Sequence, residues 1–210
     1  MNTPAPEIVI VQTGCANLAS VGAAFARLGV RARASADAEE IAGAAGVVLP
    51  GVGHFGPAMR SLRERGLNAA IIERIARGRA MLAICLGMQM LCDESEESPE
   101  VPGMGVIPGR IERFAGALRV PQMGWNKIVP SASRLMLEPA SMYFANSFRL
   151  GAISEGWEGA ASEYGEPFVG AIERGTLLAC QFHPELSGAS GMRLLKRWVA
   201  TAVCGEALPC

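Results

Sequence analysis

Short apolar runs alternate with helical patterns through the first part of the chain, and this alternation limits the folds open to it. The runs lie at residues 7–11, 30–34, 46–49 and 80–84, and the helical patterns at 18–28, 38–44 and 57–77, the last broken near Gly66. Strands separated by helices pair in parallel, and a parallel sheet is covered on both faces. We therefore predict an α/β fold with a mostly parallel, doubly wound sheet flanked by helices. Ligands of such sheets bind at the carboxyl ends of the strands.

The second half has shorter segments separated by Gly and Pro. Strands are predicted at residues 110–114, 142–148, 168–172 and 177–181, with a last helix at 191–203. They indicate a smaller antiparallel or mixed strand region added to the parallel sheet. The acidic stretch at residues 93–100 is interpreted as a solvated connection. All 210 residues are assigned to a single domain, since the length suits one sizeable core.

Composition excludes several classes of function. The chain has two histidines, His54 and His183, so a metal site built from several histidines is excluded and we expect no metal. Its net charge of −1 argues against nucleic acid as a partner, and no stretch approaches the roughly 18 apolar residues of a membrane span. The N-terminus has no basic head followed by an apolar run, so we expect a cytoplasmic protein. The six cysteines form no C-x-x-C pair, and most are expected to be small buried hydrophobes.

Cys85 occupies the strongest local motif. The apolar run at 80–84 leads into Cys85 and then a helical pattern, with Ala83 two residues before the cysteine and Gly87 two residues after it. A side chain on such a sharp strand-to-helix turn needs small residues at these two positions, because the backbones crowd there. The helix that follows provides unpaired N–H groups, which favour a thiolate. The alternative is a buried cysteine that ends an inner strand.

His183 and Glu185 form the second motif, Cys-Gln-Phe-His-Pro-Glu-Leu at 180–186. Pro184 favours an extended His183, and alternate side chains of an extended segment share a face, so Glu185 can reach the imidazole. A carboxylate that fixes the tautomer of a histidine is the third member of a catalytic triad. Cys85, His183 and Glu185 therefore fit the roles of nucleophile, base and orienting residue.

The glycine-rich stretch Leu-Pro-Gly-Val-Gly-His-Phe-Gly at 49–56 follows a predicted parallel strand. Alone it is more often a turn than a site. Beside a cysteine nucleophile, the loop at Gly51, Val52 and Gly53 is a candidate oxyanion donor, together with the N–H of Leu86. Because no neighbour in the sequence would orient His54, we interpret it as a surface or loop histidine.

These motifs resemble those of a known family. Cys-Leu-Gly-Met-Gln at 85–89 with His-Pro-Glu at 183–185 is similar to the triad of the class I glutamine amidotransferases. Four stretches, at residues 14–21, 49–53, 121–126 (Pro-Gln-Met-Gly-Trp-Asn) and 181–185, narrow the resemblance to the histidine-biosynthetic branch of that family. The resemblance covers nearly the whole chain, and Met-Gly-Trp-Asn and Pro-Gly-Val-Gly are its most specific parts.

The resemblance implies a reaction and a partner. Cys85 would attack the side-chain amide of L-glutamine, His183 would protonate the departing ammonia, and water would release glutamate from the thioester. Such glutaminases need no cofactor and form a heterodimer with a cyclase, through whose barrel the ammonia passes. The family resemblance also implies that the oxyanion loop rearranges when the cyclase binds its nucleotide. By the same resemblance, Gln89, Ser147 and Phe148 would bind glutamine, and Trp125, Asn126 and Tyr143 would lie at or near the partner interface.

Several positions depart from the family pattern. Ala83 replaces a usual glycine, Gln122 and Asn146 replace common histidines, Phe148 replaces a tyrosine, and Leu186 replaces a lysine that pairs across the interface. The three triad residues are unchanged, so we expect catalysis to be kept. We expect the departures to affect the subunit contacts and the coupling between the glutaminase and cyclase sites more than catalysis. Loss of the one lysine need not prevent association, because a surface ion pair is typically worth only about 0–1 kcal/mol.

Three other interpretations stay open at this point. The same chemistry could supply ammonia for pyridoxal phosphate, guanylate or anthranilate synthesis, against which Met-Gly-Trp-Asn argues. A catalytically dead binding subunit would not need the intact triad. A cysteine peptidase or redox sensor would give no reason for Gln89 or for a glutamate two residues after the histidine.

Overall fold

The computed structural model describes residues 7–14, 17–132 and 136–204, with the backbone alone for residues 203 and 204. Cys15 and Cys210, and the side chain of Cys204, thus lie outside the described residues. The strands are β1 (Glu7–Val11), β2 (Arg31–Ser35), β3 (Gly46–Gly51), β4 (Met81–Cys85), β5 (Cys92–Ser95), β6 (Ile107–Arg113), β7 (Gln122–Pro130), β8 (Ala140–Asn146), β9 (Phe148–Leu150), β10 (Glu158–Glu163), β11 (Pro167–Arg174) and β12 (Leu177–Cys180). The helices are α1 (Leu18–Arg27), α2 (Ala38–Gly43), α3 (Phe55–Glu64), α4 (Leu67–Ala76), α5 (Leu86–Met90) and α6 (Gly188–Cys204), with a short 3₁₀ helix at Pro184–Leu186.

A large mixed sheet organises the fold. In the described part of the chain it has nine strands in the order β2-β1-β3-β4-β12-β11-β10-β7-β8. The first five pair in parallel, and the rest continue the sheet in antiparallel pairs. A smaller mixed sheet, β5-β6-β9, stands beside it. The predicted α/β class, with a mostly parallel sheet and an added region of smaller strands, is confirmed.

Both faces of the inner strands β1, β3, β4 and β12 are buried, as their continuous apolar runs predict, whereas the edge strand β2 is largely exposed. Along β1, Val9 and Val11 face one core cluster, while Ile8 and Ile10 face the other. The first cluster includes residues of α3, α4 and the smaller sheet, and the second includes residues of α1 and α6. Helices on both sides exclude water from the inner strands, and the carboxyl ends of these strands remain available for a site.

The predicted break at Gly66 is confirmed, since α3 ends at Glu64, α4 begins at Leu67 and Gly66 has a φ of +69°. The start of α3 differs from the prediction. The helix begins at Phe55 because two distant side chains accept its first amides: Glu97 Oε2 accepts from Phe55 N at 2.7 Å and Ser98 Oγ from Gly56 N at 3.1 Å. These caps are 42 residues away in sequence, so no local pattern indicates them.

Three strands were missed and one interpretation was wrong in part. The stretch 93–100 is not only a solvated connection, because Cys92–Ser95 forms β5 and pairs with β6. β10 carries few apolar residues, and the apolar residues of β7 are interrupted by Gly124, Asn126 and Lys127. The pairing of these two strands with each other and with β8 and β11 sets their structure. The predicted strand at 142–148 divides into β8 and β9, which belong to different sheets.

Arg74 is a buried cation without a carboxylate partner among the hydrogen bonds of the described residues. It is 1% exposed, and its guanidinium donates to backbone carbonyls of Ile41, Ala42, Ala45 and Ala80. Burial, with a smaller contribution from Arg79, lowers the pKa of Arg74 to about 10, which still leaves it charged at neutral pH. The side chain therefore fastens the end of α2 to the start of β4.

We expect Arg74→Met to lower the free energy of unfolding by about 3–5 kcal/mol, because several buried carbonyls lose their donor at about 1–3 kcal/mol each. Arg77→Met is the matched control at the end of the same helix, since Arg77 forms an exposed ion pair with Glu73 and should change stability by about 0.5 kcal/mol or less. Urea denaturation of both variants checks the difference. Equal effects would show that the buried hydrogen bonds of Arg74 add little.

Candidate active site

Cys85 lies on a strained turn between β4 and α5. Its φ of 54° and ψ of −111° make it the one non-glycine residue with positive φ in the described ranges. Such a conformation typically costs about 1–3 kcal/mol and persists where the surrounding structure enforces it. A Cβ atom at Gly87 would lie 2.0 Å from the carbonyl oxygen of Leu49, so the requirement for a small residue at that position is confirmed. The turn directs the Cys85 side chain into a pocket.

His183 and Glu185 follow β12, the strand next to β4. His183 is extended, with φ −101° and ψ 94°, and its Nδ1 lies 2.9 Å from Glu185 Oε1. Both residues are more than nine-tenths buried. The structure thus brings Cys85, His183 and Glu185 together from two neighbouring strand ends.

The electrostatics of His183 favour its charged form. Burial lowers the pKa of the imidazole, but its hydrogen bonds to Cys85 and Glu185, and the charges of these two groups, outweigh burial and raise the pKa to about 10. Since Glu185 engages Nδ1, the other ring nitrogen is left for the nucleophile.

The oxyanion candidates lie beside Cys85 because β3 pairs with β4. Gly51 is the register partner of Cys85, and a Cβ at Gly51 would come within 2.9 Å of the Leu86 side chain. Gly53 has a φ of +101°, and Val52 is 41% exposed. The loop therefore passes close over the nucleophile and faces solvent at its tip.

His54 is exposed, as predicted, but the expectation that nothing orients it is wrong. Its Nδ1 lies 3.0 Å from Glu97 Oε1, while the other oxygen of Glu97 accepts from the Phe55 amide. Glu97 comes from the acidic stretch, 43 residues from His54, so no local pattern around His54 indicates the contact. Glu97 consequently anchors the carboxyl end of the glycine-rich loop.

A pocket of about 380 Å³ opens above these groups. Its lining combines predicted site residues with five that were not predicted to belong to the site, namely His54, Glu97, Pro121, Ala145 and Asn146. The lining residues are Val52, Gly53, His54, Cys85, Leu86, Gln89, Glu97, Pro121, Ala145, Asn146, Ser147, Phe148 and His183.

Gln89 lies at the floor of the pocket, one helical turn beyond Cys85. Its Nε2 donates to Gln181 Oε1 at 2.9 Å and to the Phe148 carbonyl at 3.1 Å. Both amide protons are therefore engaged inside the protein, which leaves its carbonyl oxygen for a ligand. Gln181 is not among the predicted site residues, although the alternation in 181–185 places Gln181 on the same face as His183 and Glu185.

The predicted interface residues lie on the β7–β8 edge of the large sheet. Trp125 is 59% exposed and packs edge-to-face on Tyr143, with ring centroids 6.1 Å apart. Asn126 points away from Trp125, because its Nδ2 donates to the Glu163 carbonyl of β10. Met123 and Val129 of the same strand are also exposed, as are Val52 and Leu186 elsewhere in the described chain.

Among the residues that depart from the family pattern, Gln122, Asn146 and Ala83 are buried and Leu186 is exposed. Gln122 and Asn146 are register partners in β7 and β8, are both 4% exposed, and each carries an amide oxygen without a hydrogen-bond partner in the described structure. Leu186 is 44% exposed. Ala83 is fully buried between β3 and β12.

Two further described cysteines, Cys92 and Cys180, are buried, and burial raises the pKa of both thiols. Both fit the prediction of small buried hydrophobes. Within residues 7–14, 17–132 and 136–204 there is no group of three or more His, Cys, Asp or Glu side chains arranged for a metal ion. No described helix is long and apolar enough to cross a membrane.

Comparison with known proteins agrees with this geometry. Residues 11–202 match the family described as glutamine amidotransferase class-I. Imidazole glycerol phosphate synthase subunit HisH of Symbiobacterium thermophilum is 40% identical over 91% of this chain and 92% of its own length. The subunit of the same name from Geobacillus kaustophilus is 41% identical over 93% of this chain and 97% of its own. A crystal structure of a glutamine amidotransferase superposes with a TM-score of 0.75 at 25% identity, covering 92% of this chain and 98% of that one. The chain therefore belongs to the class I glutamine amidotransferase family.

Proposed function

We propose that this chain is the glutaminase subunit of imidazole glycerol phosphate synthase, which hydrolyses L-glutamine and delivers the ammonia to a cyclase subunit in histidine biosynthesis. The observation that carries the proposal is the Cys85–His183–Glu185 arrangement at the pocket of about 380 Å³. About 40% identity to HisH subunits over nine-tenths of the chain supports the assignment to this synthase. A cytoplasmic location stays a prediction.

The proposed reaction has two halves. The Cys85 thiolate attacks the side-chain carbonyl carbon of glutamine, a C–S bond forms, and His183 gives its proton to the nitrogen as the C–N bond breaks. Ammonia leaves and a thioester remains. His183 then takes a proton from water, the hydroxide attacks the thioester, and glutamate leaves as the C–S bond breaks. Glu185 holds the imidazole in the orientation that both steps need.

Negative charge develops on the carbonyl oxygen in both halves. The candidate donors are the backbone N–H groups of Leu86 and of the loop Gly51, Val52 and Gly53, which lie beside Cys85 through the β3–β4 pairing. Glu97 supports this assignment, since it fastens the loop at His54 and Phe55.

Glutamine would bind in the pocket with its amino-acid end near Gln89, Ser147 and Phe148. The free carbonyl oxygen of Gln89 suits an ammonium group, because its amide protons are already donated to Gln181 and Phe148. The Glu97 carboxylate in the pocket lining adds negative charge for the same group.

The cyclase would dock on the exposed apolar surface around Trp125. Trp125, Met123, Val52 and Leu186 are each more than two-fifths exposed, and Tyr143 supports the Trp125 ring. Aromatic and methionine side chains of this kind are enriched in protein interfaces. Val52 is an exposed residue of the oxyanion loop, so a partner that also covers Val52 would contact the loop directly.

Glutamate release measured with and without a cognate cyclase and its ribulosyl nucleotide tests the proposal. We expect slow release by the chain alone and strong stimulation by the cyclase with nucleotide, with cyclase lacking nucleotide as the control. Absence of stimulation would contradict the assignment to this synthase. If a glutamine-analogue electrophile also failed to label Cys85, the chain would be a binding subunit without catalysis.

A further inference from the structure

Gln181 is a buried polar residue for which the proposed reaction has no role. It is fully buried, and its Nε2 lies 3.7 Å from the Sγ of Cys85. The sheet enforces this contact, since β12 and β4 pair in parallel with Cys180 opposite Ile84, so the next residues, Gln181 and Cys85, are neighbours. The backbone of Gln181 is held as well, because its amide donates to the Gly170 carbonyl at 2.9 Å.

The orientation of the Gln181 side chain is fixed from its far end. Its Oε1 accepts a hydrogen bond of 2.9 Å from Gln89 Nε2. Because the amide nitrogen of Gln89 is a donor only, the Gln181 atom that faces it has to be the oxygen. The Gln181 amide therefore has to present its N–H groups toward Cys85. Gln89 is itself held by the Phe148 carbonyl, which also accepts from Asn146 Nδ2 at 2.9 Å.

The surroundings of the sulfur give this donor a function. The Ala145 carbonyl of β8 lies 4.0 Å from Sγ, and an acceptor oxygen there disfavours a thiolate. The titratable groups nearby are His183 and Glu185 after β12, with His54 and Glu97 across the pocket. The side-chain N–H of Gln181 is thus a hydrogen-bond donor to the Cys85 sulfur in addition to the His183 imidazole.

We propose that Gln181 is a positioning residue for the nucleophile, whose amide N–H holds the Cys85 sulfur as a thiolate in the direction of attack. The inference rests on the proposed glutaminase function and deepens it. The hydrogen bond is strongest while the sulfur is charged, before attack and again when the thioester collapses, and weak in the uncharged thioester. Gln181 forms no bond to substrate and transfers no proton.

Two variants test the role. Gln181→Met keeps the approximate volume and removes the donor. Gln181→Glu still accepts from Gln89 but places a carboxylate beside the sulfur. Thr201→Val is the matched control, because Thr201 is a buried polar residue of α6 whose hydroxyl bonds to the Arg197 carbonyl away from the site. Each variant is measured as the complex with cyclase and nucleotide for kcat and KM, and alone for the rate of Cys85 alkylation by iodoacetamide against pH.

We expect Gln181→Met to lower kcat roughly tenfold to a hundredfold, the effect of one hydrogen bond to a charged group, while KM changes by about twofold or less. The midpoint of the alkylation profile should move up by about one pH unit, and Gln181→Glu should move it further. Thr201→Val should have the kcat, KM and alkylation profile of the wild-type protein. A purely structural role would alter thermal stability without moving the alkylation profile.

Unchanged kcat and an unchanged alkylation midpoint in both variants would overturn the inference, as would a rise in KM alone. If Gln181→Met does not fold, Gln181→Glu decides, because it keeps the contact with Gln89. If the unchanged protein releases no glutamate with the cyclase, the proposed function fails. The alkylation comparison still decides on Gln181 in that case.

Discussion

Cys85→Ala is expected to reduce glutamate release by at least about four orders of magnitude while leaving the complex with the cyclase intact. The large effect follows because removal of the nucleophile removes the covalent route altogether, and only binding and oxyanion donors remain. Cys85 is 7% exposed and lies at the pocket, whereas Trp125 and Leu186 occupy the exposed surface, so partner binding should not change. Glutamate release by the complex and size-exclusion chromatography of the two subunits provide the measurements.

Cys85→Gly is the matched control for this experiment. Glycine adopts positive φ without strain, so Cys85→Gly should be more stable than Cys85→Ala by about 1 kcal/mol, while both are inactive. The comparison of the two variants separates the loss of the nucleophile from a change in the stability of the turn. Activity that survives in either variant would show that Cys85 is not the nucleophile.

Much of the fold could be predicted because its inner strands are apolar on both faces. The apolar run at 80–84 indicates a buried strand. Gly87 marks the turn that follows it, because the Leu49 carbonyl leaves no room for a side chain at that position. The break at Gly66 likewise follows from a local property, the freedom of glycine to adopt positive φ. These features depend on a few consecutive residues, and a sequence displays them directly.

The parts that escaped prediction depend on distant partners. β10, Glu158–Glu163, has low hydrophobicity and is a strand because β7 and β11 pair with it on either side. Glu97 looked like one charge in an acidic stretch, yet it caps α3 and contacts His54 across the fold. Gln181 stood inside a recognised motif, but its contact with Cys85 requires the β4–β12 register.

His183→Asn is expected to reduce glutamate release by at least about three orders of magnitude, because asparagine can neither take the proton from water nor return one to the leaving nitrogen. In the unchanged protein, activity should fall in acid as the coupled Cys85–His183 pair takes up protons, and that dependence should disappear from the residual rate of the variant. Steady-state rates across the pH range for both proteins, with His54→Asn as the control, provide the measurement. His54 is exposed and bonded to Glu97, so its loss should have a much smaller effect.

Stability gives His183→Asn a second, independent signature. The pKa of His183 is raised to about 10 in the folded protein from an ordinary value of 6.5, so the charged imidazole stabilises the fold most below pH 6.5, and this contribution is lost as the pH rises toward 10. The stability advantage of the unchanged protein over His183→Asn should therefore be largest below pH 6.5 and shrink with rising pH in urea denaturation. A pH-independent difference would mean that the imidazole is not held as a cation by Cys85 and Glu185. A normal glutaminase rate in the variant would remove His183 from the role of base and leave His54 as the remaining histidine.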